Sequence, residues 1–181
     1  KVTGEHAFIG HFTAAAYNRS PQAIPLLRQK VERIIKRANF APAGHDGKAL
    51  TNVLENFPRD ELFQSSDTQL YHNATGVLHL ATRPRTRLFV RPDRFGRFLS
   101  CLVYVPRERY NTELRSKMGD ILAEEFNGRV ATWTPFFGDE AQARVHFVIA
   151  VLSGVAADFD VAEIEKRIIS VVRSWTDDPR A

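Results

Sequence analysis

The residues in this chain best suited to chemistry are arginines. Arg83, Arg85, Arg87, Arg91, Arg94 and Arg97 cluster in one short stretch. Alternate residues of an extended strand project to the same side, so Arg85, Arg87 and Arg91 would share a face with Phe89. With Phe95 close by, such a face could hold phosphates or stack bases. The same residues also suit a solvated face, a surface that pairs with carboxylates of another domain, or a site for a small anion or amino acid. Inside the run, Asp93-Arg94-Phe95-Gly96 reads as a turn. Asp93 can accept local backbone amides there, and Gly96 can take the positive φ that a tight hairpin needs. Arg91, Asp93, Arg94, Gly96 and Arg97 are therefore the candidate contact for an effector or a neighbouring domain.

Other chemistries lack their residues. The ten glycines form neither G-x-G-x-x-G nor G-x-x-x-x-G-K-[ST], so no cofactor-binding turn or phosphate loop is assigned. The six histidines have no H-x-x-x-H spacing. His72 and His79 sit seven apart on one helix face and read as an exposed pair rather than a metal site. Cys101 is the single cysteine, which excludes a disulfide framework and fits a reducing compartment; on the core face of a strand it acts as a small buried hydrophobe. No catalytic or metal residue is assigned. With 181 residues, 44% of them hydrophobic, the chain can build a substantial core, and a net charge of +4 permits nucleic acid without demanding it. No stretch approaches the roughly 20 apolar residues of a membrane span, so no membrane partner is expected and the expected address is cytoplasmic. The sole methionine is Met118, so the chain reads as a piece of a longer protein.

These residues must be held by two kinds of element. Residues 6–13 read as one strand with a small-residue tail to Tyr17, and residues 1–20 as the end of a preceding module or an extra strand. Residues 21–82 read as a helical connector. Pro25 opens its first helix, Asp46 caps a second that Pro58 closes, and Ser66 caps a third whose buried stripe is Leu70, Ala74, Val77, Leu78 and Ala81. From Arg83 the period changes from 3.6 to 2. Leu88 and Val90 oppose Arg87, Phe89 and Arg91; Leu99, Cys101, Val103 and Val105 share a face; Asn111 or Thr112 caps the clearest helix, which Asn127-Gly128 ends. Strands over 129–136 and 143–152 follow, then a helix capped by Asp160. The order strand, strand, helix, strand, strand, helix over residues 83–181 is a cyclic relative of the ferredoxin-like plan. The expected fold class is α+β: one antiparallel sheet with helices on a single face, preceded by a helical segment.

Arg94-Phe95-Gly96-Arg97-Phe98-Leu99 half resembles an RNA-recognition signature, with the glycine displaced, so an RNA-binding module using the Arg83–Arg97 face remains one alternative and a structural spacer another. Asp93-Arg94-Phe95-Gly96 also resembles the D-x-x-G turn of amino-acid-sensing ACT domains, except that here it joins two strands. Longer stretches resemble the large bacterial NAD-specific glutamate dehydrogenases. They include Gly4-Glu5-His6-Ala7-Phe8-Ile9-Gly10, His45-Asp46-Gly47-Lys48-Ala49-Leu50, the run from Phe89 to Arg107 (FVRPDRFGRFLSCLVYVPR), Tyr110-Asn111-Thr112-Glu113-Leu114-Arg115 and Ala143-Arg144-Val145-His146-Phe147. The resemblance implies a parent that oxidatively deaminates L-glutamate to 2-oxoglutarate and ammonia with NAD, as a cytoplasmic homo-oligomer. Residues 83–181 would be an ACT-like regulatory or assembly domain of that parent, without a cofactor of its own. Its partners would be other domains and subunits and an amino-acid effector. No catalytic residue of the family maps onto these positions.

Overall fold

The computed structural model describes residues 4, 10, 11, 13–41, 44–138, 141–151 and 159–174. The chain divides into two compact units, Lys1–Leu78 and His79–Ala181.

The first unit is helical: α1 (Ala14–Asn18), α2 (Pro25–Ala38), α3 (His45–Glu55), α4 (Arg59–Gln64) and most of α5 (Asp67–Thr82). The strand expected over 6–13 lies largely outside the described residues. Its alanine-rich tail winds into α1 instead of staying extended, as three successive alanines favour. Pro25 stands at the start of α2, and Asn39 closes that helix with φ 53°. Asp46 does not cap α3. Gly44 holds that position, and Asp46 lies one residue into the first turn, where its charge still favours the helix amino end. Pro58 ends α3 as expected but also flanks the unforeseen α4, whose first turn carries Asp60 and Glu61. Leu27, Val31 and Ile34 of α2, Leu50, Val53 and Leu54 of α3, Leu62 of α4, and Leu70, Ala74 and Val77 of α5 are buried. On α5 the next buried position is Leu80, while Ala81, expected on that stripe, is exposed.

Among the described residues of this unit, one lysine is buried. Lys30 of α2 is 8% exposed, and its Nζ donates to the carbonyls of Leu62 (2.7 Å), Phe63 (3.4 Å) and Ser65. A cation thus serves the carboxyl end of α4, whose last carbonyls have no partner within the helix.

The second unit is a four-stranded antiparallel sheet in the order β1-β2-β4-β3 with two helices: β1 (Arg87–Pro92), β2 (Phe98–Pro106), α6 (Thr112–Glu125), β3 (Gly128–Phe137), β4 (Gln142–Val151) and α7 (Val161–Ser174). Both hairpins are antiparallel, and β2-α6-β3 crosses over β4, so the fold is the expected α+β, ACT-like arrangement. Local chemistry sets the helix ends. Asn111 Oδ1 accepts the Leu114 amide at 2.7 Å, Asn127 ends α6 with φ 45°, and Asp160 Oδ1 accepts the amides of Ala162 (2.9 Å) and Glu163 (3.2 Å). Register then stacks one apolar row across the sheet: Val90, Cys101, Phe147 and Trp133 are successive partners. Leu114, Met118 and Leu122 of α6 and Ile164, Ile168 and Val172 of α7 close over that face. Cys101 is fully buried there.

Candidate functional site

The turn between β1 and β2 is held by its own acid. Asp93 is 7% exposed, and its Oδ2 accepts the amides of Phe95 and Arg97, each at 3.3 Å, and Arg97 Nε at 2.8 Å. Gly96 takes φ 65° and donates its amide to the Asp93 carbonyl at 3.0 Å. Amides that could have met a ligand carboxylate are therefore occupied by a side-chain carboxylate from the same turn. Arg97 also stacks over Phe95, with 5.2 Å from guanidinium carbon to ring centroid, and Phe95 is 71% exposed. The structure thus joins Asp93, Gly96 and Arg97 into one self-satisfied turn. Arg94 is exposed beside it, and Arg91 is buried on β1 with Nη1 donating to the Pro92 carbonyl at 3.4 Å.

The Arg97 guanidinium holds the Asp93 carboxyl below the usual carboxylate range, and the Arg97 and Phe95 amides act in the same direction against the effect of burial. A carboxyl that titrates lower when folded contributes stability above its unfolded pKa, near about 4, and loses it as pH falls through the folded value. Asp93→Asn is therefore expected to lower the urea midpoint at neutral pH. The gap from the unmodified chain should close as pH falls through the lowered folded pKa of Asp93.

The rest of the arginine run does not form one surface. Arg83 and Arg85 are exposed in the segment before β1, whereas Arg87 pairs with Glu165 of α7 at 3.0 Å. Phe89, expected to interleave with these arginines, does lie beneath Arg87, 5.9 Å from guanidinium carbon to ring centroid, but it is 6% exposed and meets Tyr104 edge-on at 5.9 Å. His72 and His79 are exposed. Among the described residues, no group of three or more His, Cys, Asp or Glu could hold a metal.

Two features lay outside the expected site. At the β1 edge, Glu165 Oε2 accepts the Leu88 amide at 2.8 Å while its Oε1 meets Arg87. A helix side chain thus occupies an outward donor of that edge. At the opposite edge, β3 carries Trp133, Phe136 and Phe137 at 41%, 37% and 45% exposure. The Arg115 guanidinium lies 3.9 Å from the Trp133 ring centroid on the helix side, and Arg144 lies 4.4 Å from that of Phe136 on the other. A bulge between Val130 and Thr132 bends this strand. Pro135 was the available sequence signal, because proline within a strand marks an edge.

Comparison with known proteins places both units. The family model "Glutamate dehydrogenase, helical motif 1" matches residues 24–83, covering α2 to α5, and "Glutamate dehydrogenase, ACT2 domain" matches residues 87–176, covering β1 to α7. The chain belongs to the glutamate dehydrogenase family. It is similar to proteins named NAD-specific glutamate dehydrogenase from Halomonas elongata and Pseudomonas aeruginosa, 39% identical to each over 178 residues. A third, from Mycobacterium tuberculosis, is 35% identical over 185 residues. These alignments take in 98%, 98% and 96% of the chain but 11% of each relative, so the chain spans about a tenth of their length. Within this glutamate dehydrogenase segment, no helix among the described residues is long and apolar enough to cross a membrane. The ACT2 match begins at the first residue of β1, so the whole Asp93 turn and both sheet edges fall inside it.

Proposed function

We propose that this chain is a non-catalytic regulatory and assembly segment of a cytoplasmic enzyme that oxidatively deaminates L-glutamate to 2-oxoglutarate and ammonia with NAD. The cofactor and the chemistry belong to the rest of that enzyme, and the segment alone is inactive. Its ACT-like unit works by docking the β3 edge onto a sister domain or subunit, and an amino-acid effector bound at that contact shifts the balance of active and inactive states. The observation that carries this reading is the difference between the two sheet edges. Glu165 takes up the Leu88 amide on β1, whereas three large aromatic side chains stand exposed along β3. Pro135 withholds one donor from that edge, so the aromatic side chains supply most of the contact, as at other interfaces anchored by Trp and Phe. The exposed Phe95–Arg97 tip and Arg94 offer a second docking point, better suited to a protein carboxylate than to a free amino acid because the turn's amides are occupied.

In the full-length enzyme, Thr134→Glu combined with Phe136→Glu puts charge on the exposed side of β3. Sedimentation is expected to show assembly weakened about tenfold or more, the loss of one aromatic anchor worth about 1.4 kcal/mol, with altered effector response. Unchanged size and unchanged kinetics would refute the docking role.

A further inference from the structure

We propose that the second unit binds a small organic polyanion in a basic cavity at the end of the sheet remote from the Asp93 turn. The cavity, about 430 Å³, lies between the segment preceding β1, the end of β2 and the carboxyl half of α7. Its walls include Pro106, Ile169 and Val172, and its charge comes from Arg85, Arg109 and Arg173. These guanidinium groups arrive from three separate elements. None of the three has an ion pair, a side-chain hydrogen bond or a ring contact among the described residues.

Among the described residues that line the cavity, the one carboxylate does not neutralise them. Glu165 lines the same space, but its Oε1 is committed to Arg87 at 3.0 Å and its Oε2 to the Leu88 amide at 2.8 Å. Arg173 sits in the last turn of α7, where it offsets the helix carboxyl end; Arg85 and Arg109 have no such role. Both are carried on pinned backbone. Gln142 Nε2 donates to the Arg85 carbonyl at 3.4 Å. The turn Arg107–Arg109 is fixed by the Arg107 amide on the Ala141 carbonyl (2.9 Å) and the Tyr110 amide on the Arg107 carbonyl (3.2 Å). Planar guanidinium forks take carboxylate or phosphate oxygens two at a time, so three around one cavity suit a ligand with two or three anionic groups. The apolar walls suit a short carbon body, and the volume lies in the range of small-molecule sites. This site is separate from the β3 edge and stands whether or not that edge docks a partner.

The test uses the 181-residue chain in thermal-shift and calorimetric titrations at constant ionic strength. Citrate probes a tricarboxylate, pyrophosphate and a nucleoside diphosphate probe phosphate, and chloride is the monovalent control. The expected result is a rise in melting temperature with citrate or with a phosphate ligand, following mass action, and none with chloride. Whichever arm responds names the chemical source. Arg85→Gln with Arg109→Gln should weaken binding at least about tenfold without lowering the unliganded melting temperature, since neither guanidinium has a side-chain partner to lose among the described residues. Arg94→Gln with Arg129→Gln removes the same charge from exposed positions elsewhere and should leave binding unchanged. No response to any probe, or equal losses in the two double variants, would overturn the proposal.

Discussion

Replacing Lys30 with methionine should destabilise the helical unit by about 3 kcal/mol, the order expected when one member of a buried charged network is removed. Methionine matches the aliphatic stem, so the packing of α2 is kept and only the ammonium group goes. The carbonyls of Leu62, Phe63 and Ser65 then lose the donor at the end of α4. Glu61, 1% exposed, remains with Ser65 Oγ at 3.3 Å. Lys36→Met on the same helix is the control, because Lys36 is exposed and surface changes usually stay within about 0.5 kcal/mol. The measurement is urea denaturation followed by far-ultraviolet dichroism, which is weighted toward the helices. An effect for Lys30→Met no larger than for Lys36→Met would show that water replaces the ammonium group without cost.

The difference between what was legible in the residues and what was not follows the range of each interaction. Leu99, Cys101, Val103 and Val105, like Val145, Phe147, Ile149 and Val151, recur at every second position, and both runs became central strands, because a period of two is imposed by the strand itself. Asp160 could be named as a cap, and Asn111 as one of two candidates with Thr112, because each bonds an amide two or three residues away. Asp46 failed as a cap because the helix gained two more residues at its start, a shift that propensity does not resolve. The short α4 was missed for a related reason. It spans six residues, too few to show a period, and Pro58 was read only as a stop.

The site was legible only where it is local. The Asp93 turn closes within a few residues, and its carboxylate and glycine play the roles their spacing suggested, while the Arg97–Asp93 pair was not foreseen. The arginine run, in contrast, was expected to present one face. Burial of Arg91 and Phe89, together with the Arg87–Glu165 pair, divides it. Glu165 is 77 positions from Leu88, and no window of sequence connects them. Arg85, Arg109 and Arg173 are likewise brought together only by the closure of β1, β2 and α7.

Gly128 is where local geometry and the proposed docking edge meet, and Gly128→Ala is expected to cost about 2–3 kcal/mol, in the range of overpacking a well-filled core. A Cβ there would lie 2.5 Å from the Ala150 carbonyl oxygen, 2.9 Å from Ile149 Cγ2 and 3.1 Å from Val151 Cγ1. The nearest of these is backbone of the paired strand, so relief requires β3 and β4 to separate where β3 begins. Gly119 sets the scale. A Cβ on that α6 residue would meet only side chains, Phe147 Cε1 and Val130 Cγ2, each at 3.3 Å, and they can shift by a few tenths of an ångström. Alanine also gains about 1 kcal/mol over glycine in a helix interior, so Gly119→Ala should be close to neutral. Denaturation followed by tryptophan fluorescence reports on both, since Trp133 lies on β3. Equal midpoints for the two variants would mean that β3 yields without cost at its start. Such an edge would be too soft to present Trp133, Phe136 and Phe137 as a fixed surface, and the docking role would fail with it.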